Sequence, residues 1–268
     1  MTLRLLGKAY MGLCALFIVL PIMVVMGAAL NGGRSMLFPP KDVTFDRFAE
    51  FFYTDPSWVR ALGNSLVTAG GSAALAVLLA WPIAYGLWRH GSGLSKAIAG
   101  LGTLPFALPP IVFGVGLSFL WTFTGGLGHM WAGVLSHTAF FLALPIVMIS
   151  IGLQSIDPAH IDAARTMGAD GRAIFRTIVF PQMMPYSASG FFFVLVLSFN
   201  EFIIMFFVSS SAYSTVTVKI FNSLRNGFTP TMAVGAITFI TVSIIAFSLI
   251  ARFGNLPRLL GADHTNTN

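Results

Sequence analysis

Residues Ile161–Pro181 read IDAARTMGADGRAIFRTIVFP. The stretch carries three arginines, two aspartates and two glycines, in a chain that is 56% hydrophobic and only 9% charged. Its spacing predicts two short helices joined by a turn. Asp157 can cap the first helix, with Pro158 at the first helical position, where its missing N–H is not needed. Gly168 suits a left-handed stop. Asp170 can cap a second helix, which Pro181 is expected to end. Ile161, Ala164 and Met167 then share one side of the first helix. The small Ala163 and Ala164 let another surface approach closely, and Arg165, Arg172 and Arg176 offer polar contacts. Such an elbow either passes a push between a soluble partner and its flanking segments or is a plain solvated loop. DNA reading fits poorly, because the second helix would be pinned at a membrane and lacks groove-reading side chains.

The flanking segments are apolar enough for lipid. Mean hydropathy is +0.83, and soluble domains carry roughly 25% charged residues. A bilayer core of about 30 Å needs about 20 apolar residues in a helix. Six stretches qualify: Tyr10–Leu30, Leu62–Trp88, Ala97–Trp121, Trp131–Leu153, Ser187–Val208 and Met232–Phe253. The fold class expected is therefore all-α integral membrane, with six spans and the elbow between spans four and five. Pro82, Pro105, Pro109, Pro110 and Pro145 interrupt these stretches, which spanning helices tolerate when neighbours satisfy the freed carbonyls. The first stretch exceeds the roughly 7–15 apolar residues of a secretory signal and is read as an uncleaved span. The lone Cys14 leaves no disulfide framework and no cysteine metal site.

Six spans put both termini on one side. With the termini inside, that side holds Arg4, Lys8, Arg89, Lys96, Arg165, Arg172, Arg176, Arg252 and Arg258. The other holds Arg34, Lys41, Arg47, Arg60, Lys219 and Arg225. The short loop RHGSGLSK, Arg89–Lys96, is basic with no acid, whereas TGGLGHM, Thr124–Met130, lacks Lys and Arg. Positive loops stay in the cytoplasm, so the elbow and both termini are expected there. In the outer loop TFDRFAEFF, residues 44–52, Thr44 can cap a short helix with Phe45, Phe48 and Phe52 on one face. An interfacial helix over about 44–53 is expected on the outer leaflet. No repeat of 20–50 residues and no inverted repeat is evident.

The elbow resembles the signature loop of permease subunits of bacterial type I ABC importers, whose pattern is E-A-A, three residues, G, nine residues, I-x-L-P. Asp162, Ala163, Ala164, Gly168, Ile178 and Pro181 stand at every required spacing. Asp162 replaces Glu on a shorter arm, and Phe180 replaces Leu. The resemblance implies that the loop is a coupling helix docking in a cytoplasmic ABC ATPase dimer. It extends over about 61–253 and implies a single permease domain over 1–268, in a bacterial inner membrane. The implied partners are the ATPases, a second permease chain (another subunit or a copy of this one), a solute-binding protein outside and lipid, with no nucleic acid, metal or cofactor. The chain has no P-loop of its own, since its single Gly7-Lys8 is followed by Ala9. Catalytic constellations such as GxSxG and HExxH are also missing, so no catalytic residue is assigned.

Polar groups inside spans are functional candidates. In LSFNEFII, residues 197–204, Asn200 and Glu201 fall within the fifth span. A carboxylate at a helix centre costs about 3 kcal/mol, so Glu201 should face the bundle interior or a wet cavity. It either lines a solute path or holds a neighbouring span by a hydrogen bond. His137 and Asn64 are lesser candidates. Ser198-Phe199-Asn200-Glu201 and Lys219-Ile220-Phe221 resemble the spermidine/putrescine branch of these permeases, with Asn200 where an Asp is common. The resemblance implies a polyamine-like solute. Aminophosphonates, 4-aminobutyrate-like compounds and opines are the alternatives carried by related permeases. Outside this class, a secondary transporter or channel would need coupling residues beyond Glu201, the one evident intramembrane acid.

Overall fold

The computed structural model describes residues 2–33, 38–209, 212–227 and 229–253; Arg34 and Arg258 lie outside them. The described residues are helical, with one isolated bridge between Asn31 and Val43 and no strand. In chain order the helices are α1 (Thr2–Ala29), α2 (Asp46–Ala49), α3 (Pro56–His90), α4 (Gly93–Ala107), α5 (Pro110–Thr124), α6 (Met130–Phe141) and α7 (Ala143–Gln154). They continue with α8 (Pro158–Thr166), α9 (Gly171–Ile174), α10 (Phe180–Asn200), α11 (Ile203–Val208), α12 (Val216–Asn226) and α13 (Pro230–Phe253). Wider π turns occupy Glu50–Thr54 and Phe175–Val179.

Among the described residues, four helices are long and apolar enough to cross a membrane: Arg4–Ala29, Pro56–His90, Gly171–Asn200 and Pro230–Ser248. The number rises to six if α4 with α5, and α6 with α7, each make one span. The expected straight span Ala97–Trp121 is instead bent by 107° between α4 and α5. Consecutive Pro109 and Pro110 explain the bend. A residue before proline is pushed out of the helical region, and both Leu108 (ψ 147°) and Pro109 (ψ 133°) are extended. The stretch Trp131–Leu153 bends by 45° between α6 and α7, where Pro145 offers no N–H to the carbonyl of Phe141. The expected span Ser187–Val208 is displaced as well. Its helix begins upstream, at Gly171, and stops at Asn200.

Pro181 does not end the helix after the elbow. The N–H of Phe180 bonds back to the carbonyl of Phe175, five residues away, and α10 continues with Pro181 in its first turn. Opening the turn by one residue relieves the clash of the proline ring with the carbonyl four residues earlier.

Contacts divide the chain into two compact units. One takes the residues up to Gly63 together with Thr215–Val242. Its core joins Ala28 and Ala29 at the end of α1, Phe51, Trp58, and Met232, Ala233 and Val234 of α13. The expected outer helix differs in detail from the sequence reading. The Thr44 hydroxyl accepts the Asp46 N–H at 3.2 Å, but Phe45 precedes the helix and the predicted aromatic face is not formed. Phe48 and Phe51 pack into the core, while Phe45, Phe52 and Tyr53 are exposed.

The other unit takes Asn64–Ser214 and residues from Ser243 onward. Ala73, Ala76, Ala80 and Ala84 of α3 are fully buried at helical spacing and serve two adjoining cores. The small side chains let aromatic and branched residues of α6, α7 and α10 come close. Gly190 on α10 lies directly against Pro145 on α7, where an added Cβ would sit 2.9 Å from the Pro145 Cα. This second unit carries the elbow and the polar break after α10.

Candidate functional site

The elbow is built from its caps inward. The Asp157 carboxylate accepts the Ala159 N–H at 2.9 Å, and Pro158 opens α8. The helix closes at Met167, where the N–H of Ala169 reaches the carbonyl of Ala164 at 2.9 Å across Gly168. Gly168 has φ +84°, a conformation that glycine adopts without the cost borne by other residues. Asp170 then caps α9, accepting the Ala173 N–H at 2.7 Å.

Two kinds of residue share the signature. Asp162, Ala163 and Gly168 are exposed on the rim. Ala164 and Ile178 are half-buried and turn inward with Ile161, Ile174 and Val179, onto Trp81, Tyr85 and Trp88 of α3. Pro181 is exposed on the far leg. Met167 does not share the face of Ile161 and Ala164. Its N–H still bonds helically to the Ala163 carbonyl at 3.1 Å, but six residues at 3.6 per turn carry it about 120° around the helix from Ile161, and it is 88% exposed. Arg165 lies 3.5 Å from Asp162 with both side chains more than half exposed, a pair that adds little stability. The rim therefore stays available to a partner, while its underside is fixed to the bundle.

The second polar site is the interruption after α10. Glu201 is extended (ψ 132°) and separates α10 from α11, so it stands at a helix break and not at the centre of a continuous span. Its Oε1 accepts the Ile204 N–H at 2.8 Å, and its Oε2 accepts the Met205 N–H at 3.2 Å. The same Oε2 lies 3.1 Å from Nε2 of fully buried His137, whose Nδ1 lies 2.6 Å from the Ser198 hydroxyl. A neutral imidazole satisfies the whole set if Nε2–H donates to Glu201 and Nδ1 accepts from Ser198. One ring thus ties α6 to both sides of the break. Neighbouring Asn200 is exposed, donates to its own helix at Val196 (2.8 Å), and its Oδ1 lies 3.4 Å from the Ser243 hydroxyl. Asn64 donates to the Ser214 carbonyl at 3.0 Å. Sequence reading named His137 and Glu201 separately and missed their pairing, because 64 residues separate them.

Lys219 of the Lys219-Ile220-Phe221 stretch is also engaged. Its Nζ donates to the Ser57 hydroxyl and lies 4.6 Å above the Trp58 ring. Burial pushes the Lys219 ammonium below the usual lysine range, opposed by the Asp55 charge. The Ser57 hydroxyl and N–H, together with Lys219, hold the Asp55 carboxyl below the usual carboxylate range against a smaller burial effect. In the second unit, burial raises the Tyr213 phenol, whose hydroxyl bonds to Thr68.

Residues 72–255, which contain both the elbow and the break, match the family described as binding-protein-dependent transport system inner membrane component. The chain belongs to this family. It is an inner-membrane transport component in the group of ABC importer permeases. The spermidine/putrescine transport system permease protein PotC of Haemophilus influenzae is 26% identical over 253 residues, covering 93% of this chain and 98% of that one. The putrescine transport system permease protein PotI of Escherichia coli K12 is 30% identical over 214 residues, 74% of each chain. A bacterial ABC transporter that imports the acidic polysaccharide alginate shares the fold, with a TM-score of 0.67 over 98% of this chain at 17% identity.

Proposed function

We propose that this permease carries a polyamine-like solute inward as part of an ATP-driven importer. The observation that carries the reading is the similarity to permeases named for spermidine and putrescine, near end-to-end for the first and over 74% of each chain for the second. In this reading 1–268 form one permease domain with six crossings and both termini in the cytoplasm. The exposed rim of Asp162, Ala163 and Gly168 engages an ATPase dimer, and Ile178 and Pro181 carry its motion into α10. A second permease chain completes the path, and an outer binding protein delivers solute. The exposure of the rim beside its packed underside supports this division of labour.

Near the solute path, the sequence has Asn200 in place of a common Asp, and the Glu201 carboxylate already accepts from two backbone amides and faces His137. These features favour a second reading within the same class, a zwitterionic solute such as an aminophosphonate, a 4-aminobutyrate-like compound or an opine. Uptake of labelled spermidine and putrescine, measured in cells expressing the complete importer, separates the two. Saturable, ATP-dependent spermidine uptake resisting excess 4-aminobutyrate supports the polyamine. Uptake of 4-aminobutyrate that spermidine does not inhibit rejects it.

A further inference from the structure

An open groove of about 820 Å³ lies between the last turns of α3 and the inner side of the elbow. Tyr85, Trp88 and Arg89 line it from α3, Gln154 from the end of α7, and Asp162 and Arg165 from α8. Its floor is apolar, with Ile174 and Val179 buried beneath. The polar lining is mostly donors. Among the described residues, the Arg89 guanidinium, the Gln154 side chain, the Trp88 indole N–H and the Tyr85 hydroxyl make no hydrogen bond or ion pair. The lining carries two guanidiniums and one carboxylate, and that carboxylate is already 3.5 Å from Arg165. Arg89 is left uncompensated.

This lining describes an acceptor-rich, negatively charged occupant with an apolar part. Guanidinium forks match phosphate oxygens in a way that a single ammonium does not. Location narrows the occupant further. Helix α3 is long and apolar enough to cross a membrane, and the groove opens at its last turn, beside Trp88 and Tyr85. Aromatic rings at the end of a span mark headgroup depth, and basic pockets between spanning helices take anionic headgroups. We infer that this groove seats the headgroup of an anionic phospholipid, its phosphate held by Arg89 and Arg165 and its glycerol region resting on Trp88. Because Arg165 belongs to α8, the bound lipid braces the elbow against α3.

Native mass spectrometry of the full-length chain in neutral detergent tests this. The probes are phosphatidylglycerol, phosphatidylcholine with the same acyl chains, and inorganic phosphate. Phosphatidylglycerol is expected to bind best, and Arg89→Gln and Arg165→Gln are each expected to weaken it by about tenfold, the effect of losing a charge-assisted hydrogen bond. Lys96→Gln removes a basic residue outside the groove and is expected to change binding by less than about twofold. All three side chains are exposed, so unchanged melting temperatures separate binding from folding. Equal binding of the two lipids, or equal weakening by Arg89→Gln and Lys96→Gln, would overturn the site. Displacement of the lipid by millimolar inorganic phosphate would assign the groove to a free anion instead. Lost ATPase capture by Arg89→Gln with unchanged lipid binding would assign it to a protein partner.

Discussion

Replacing Glu201 distinguishes a carboxylate that reads solute charge from one that holds a broken helix together. In Glu201→Leu the N–H groups of Ile204 and Met205 and the Nε2 of His137 lose their acceptor, and all three residues are buried. A buried donor left unpaired costs about 1–3 kcal/mol, so the loss should be on the order of 4 kcal/mol. Glu201→Gln behaves differently. Its carbonyl can keep the Ile204 bond, and its amide can donate to Nε2 if the imidazole proton moves to Nδ1 and faces Ser198. The longer Met205 bond and the charge assistance are lost, which costs about 1–2 kcal/mol. At roughly 2–4 °C per kcal/mol for a chain of this size, the leucine variant should melt about 10 °C below the parent. The glutamine variant should melt about 4 °C below it. Thermal melts of the purified chain in detergent, run beside uptake assays, give both readouts. A helix-holding role predicts that Glu201→Gln transports in proportion to its folded yield. Near-parental melting with uptake abolished would transfer the residue to charge recognition. Equal destabilisation by Gln and Leu would refute the capping argument itself.

Three other outcomes are expected. Gly168→Val meets open space, since an added Cβ has no atom within 4 Å; its cost is the left-handed backbone, about 1–2 kcal/mol, partly offset through the unfolded chain. Melting should therefore fall by no more than a few degrees while capture of the ATPase and solute uptake fall, with Gly168→Asn retaining more of both; full activity of the valine variant would count against the elbow. In a Cys14→Ala background, a cysteine replacing Arg172 should be shielded from an impermeant thiol reagent in intact cells, and one replacing Asn222 should react. Labelling of position 172 from outside would reverse the proposed orientation. The Asp55 carboxyl is held low chiefly by Ser57, so its stabilisation is present above the unfolded value of about 3.9 and fades as pH falls through its lower folded value. Ser57→Ala should flatten the loss of melting temperature between about pH 5 and 3, and an unchanged acid profile would contradict the assignment.

Local chemistry made the elbow readable from sequence. Asp157 before Pro158, Gly168 after the helix and Asp170 before Gly171 each act through bonds to residues within five positions, and the structure places all three as their residue types require. What the sequence pattern concealed is longer in range or depends on register. Counting in threes from Ile161 through Ala164 to Met167 hides a drift of about 120° around the helix, which turns Met167 outward. Pro181 reads as a terminator until the helix widens upstream of it. In the segment over 44–53, Phe45 stands before the helix that starts at Asp46 and is exposed, and Phe51 rather than Phe52 is the ring that joins Phe48 in the core. The pairing of His137 with Glu201 needs the packing of α6 against the break, which no local pattern encodes.

The prolines and Glu201 illustrate one constraint. An interrupted helix in an apolar surrounding leaves backbone groups that must find partners. A lone proline inside a helix removes one hydrogen bond, and Pro21 and Pro82 sit within continuous α1 and α3. The pair Pro109-Pro110 forces two extended residues in succession and bends the chain by 107°. After α10 the interruption contains no proline, so the amides that open α11 keep their hydrogens and need acceptors. The Glu201 carboxylate supplies them to Ile204 and Met205 and takes a further contact from His137. An acid that would be costly on an unbroken apolar helix is thereby stabilised by the break that it caps. Asn200, exposed one residue earlier, takes no part in the break and donates back to the Val196 carbonyl of its own helix.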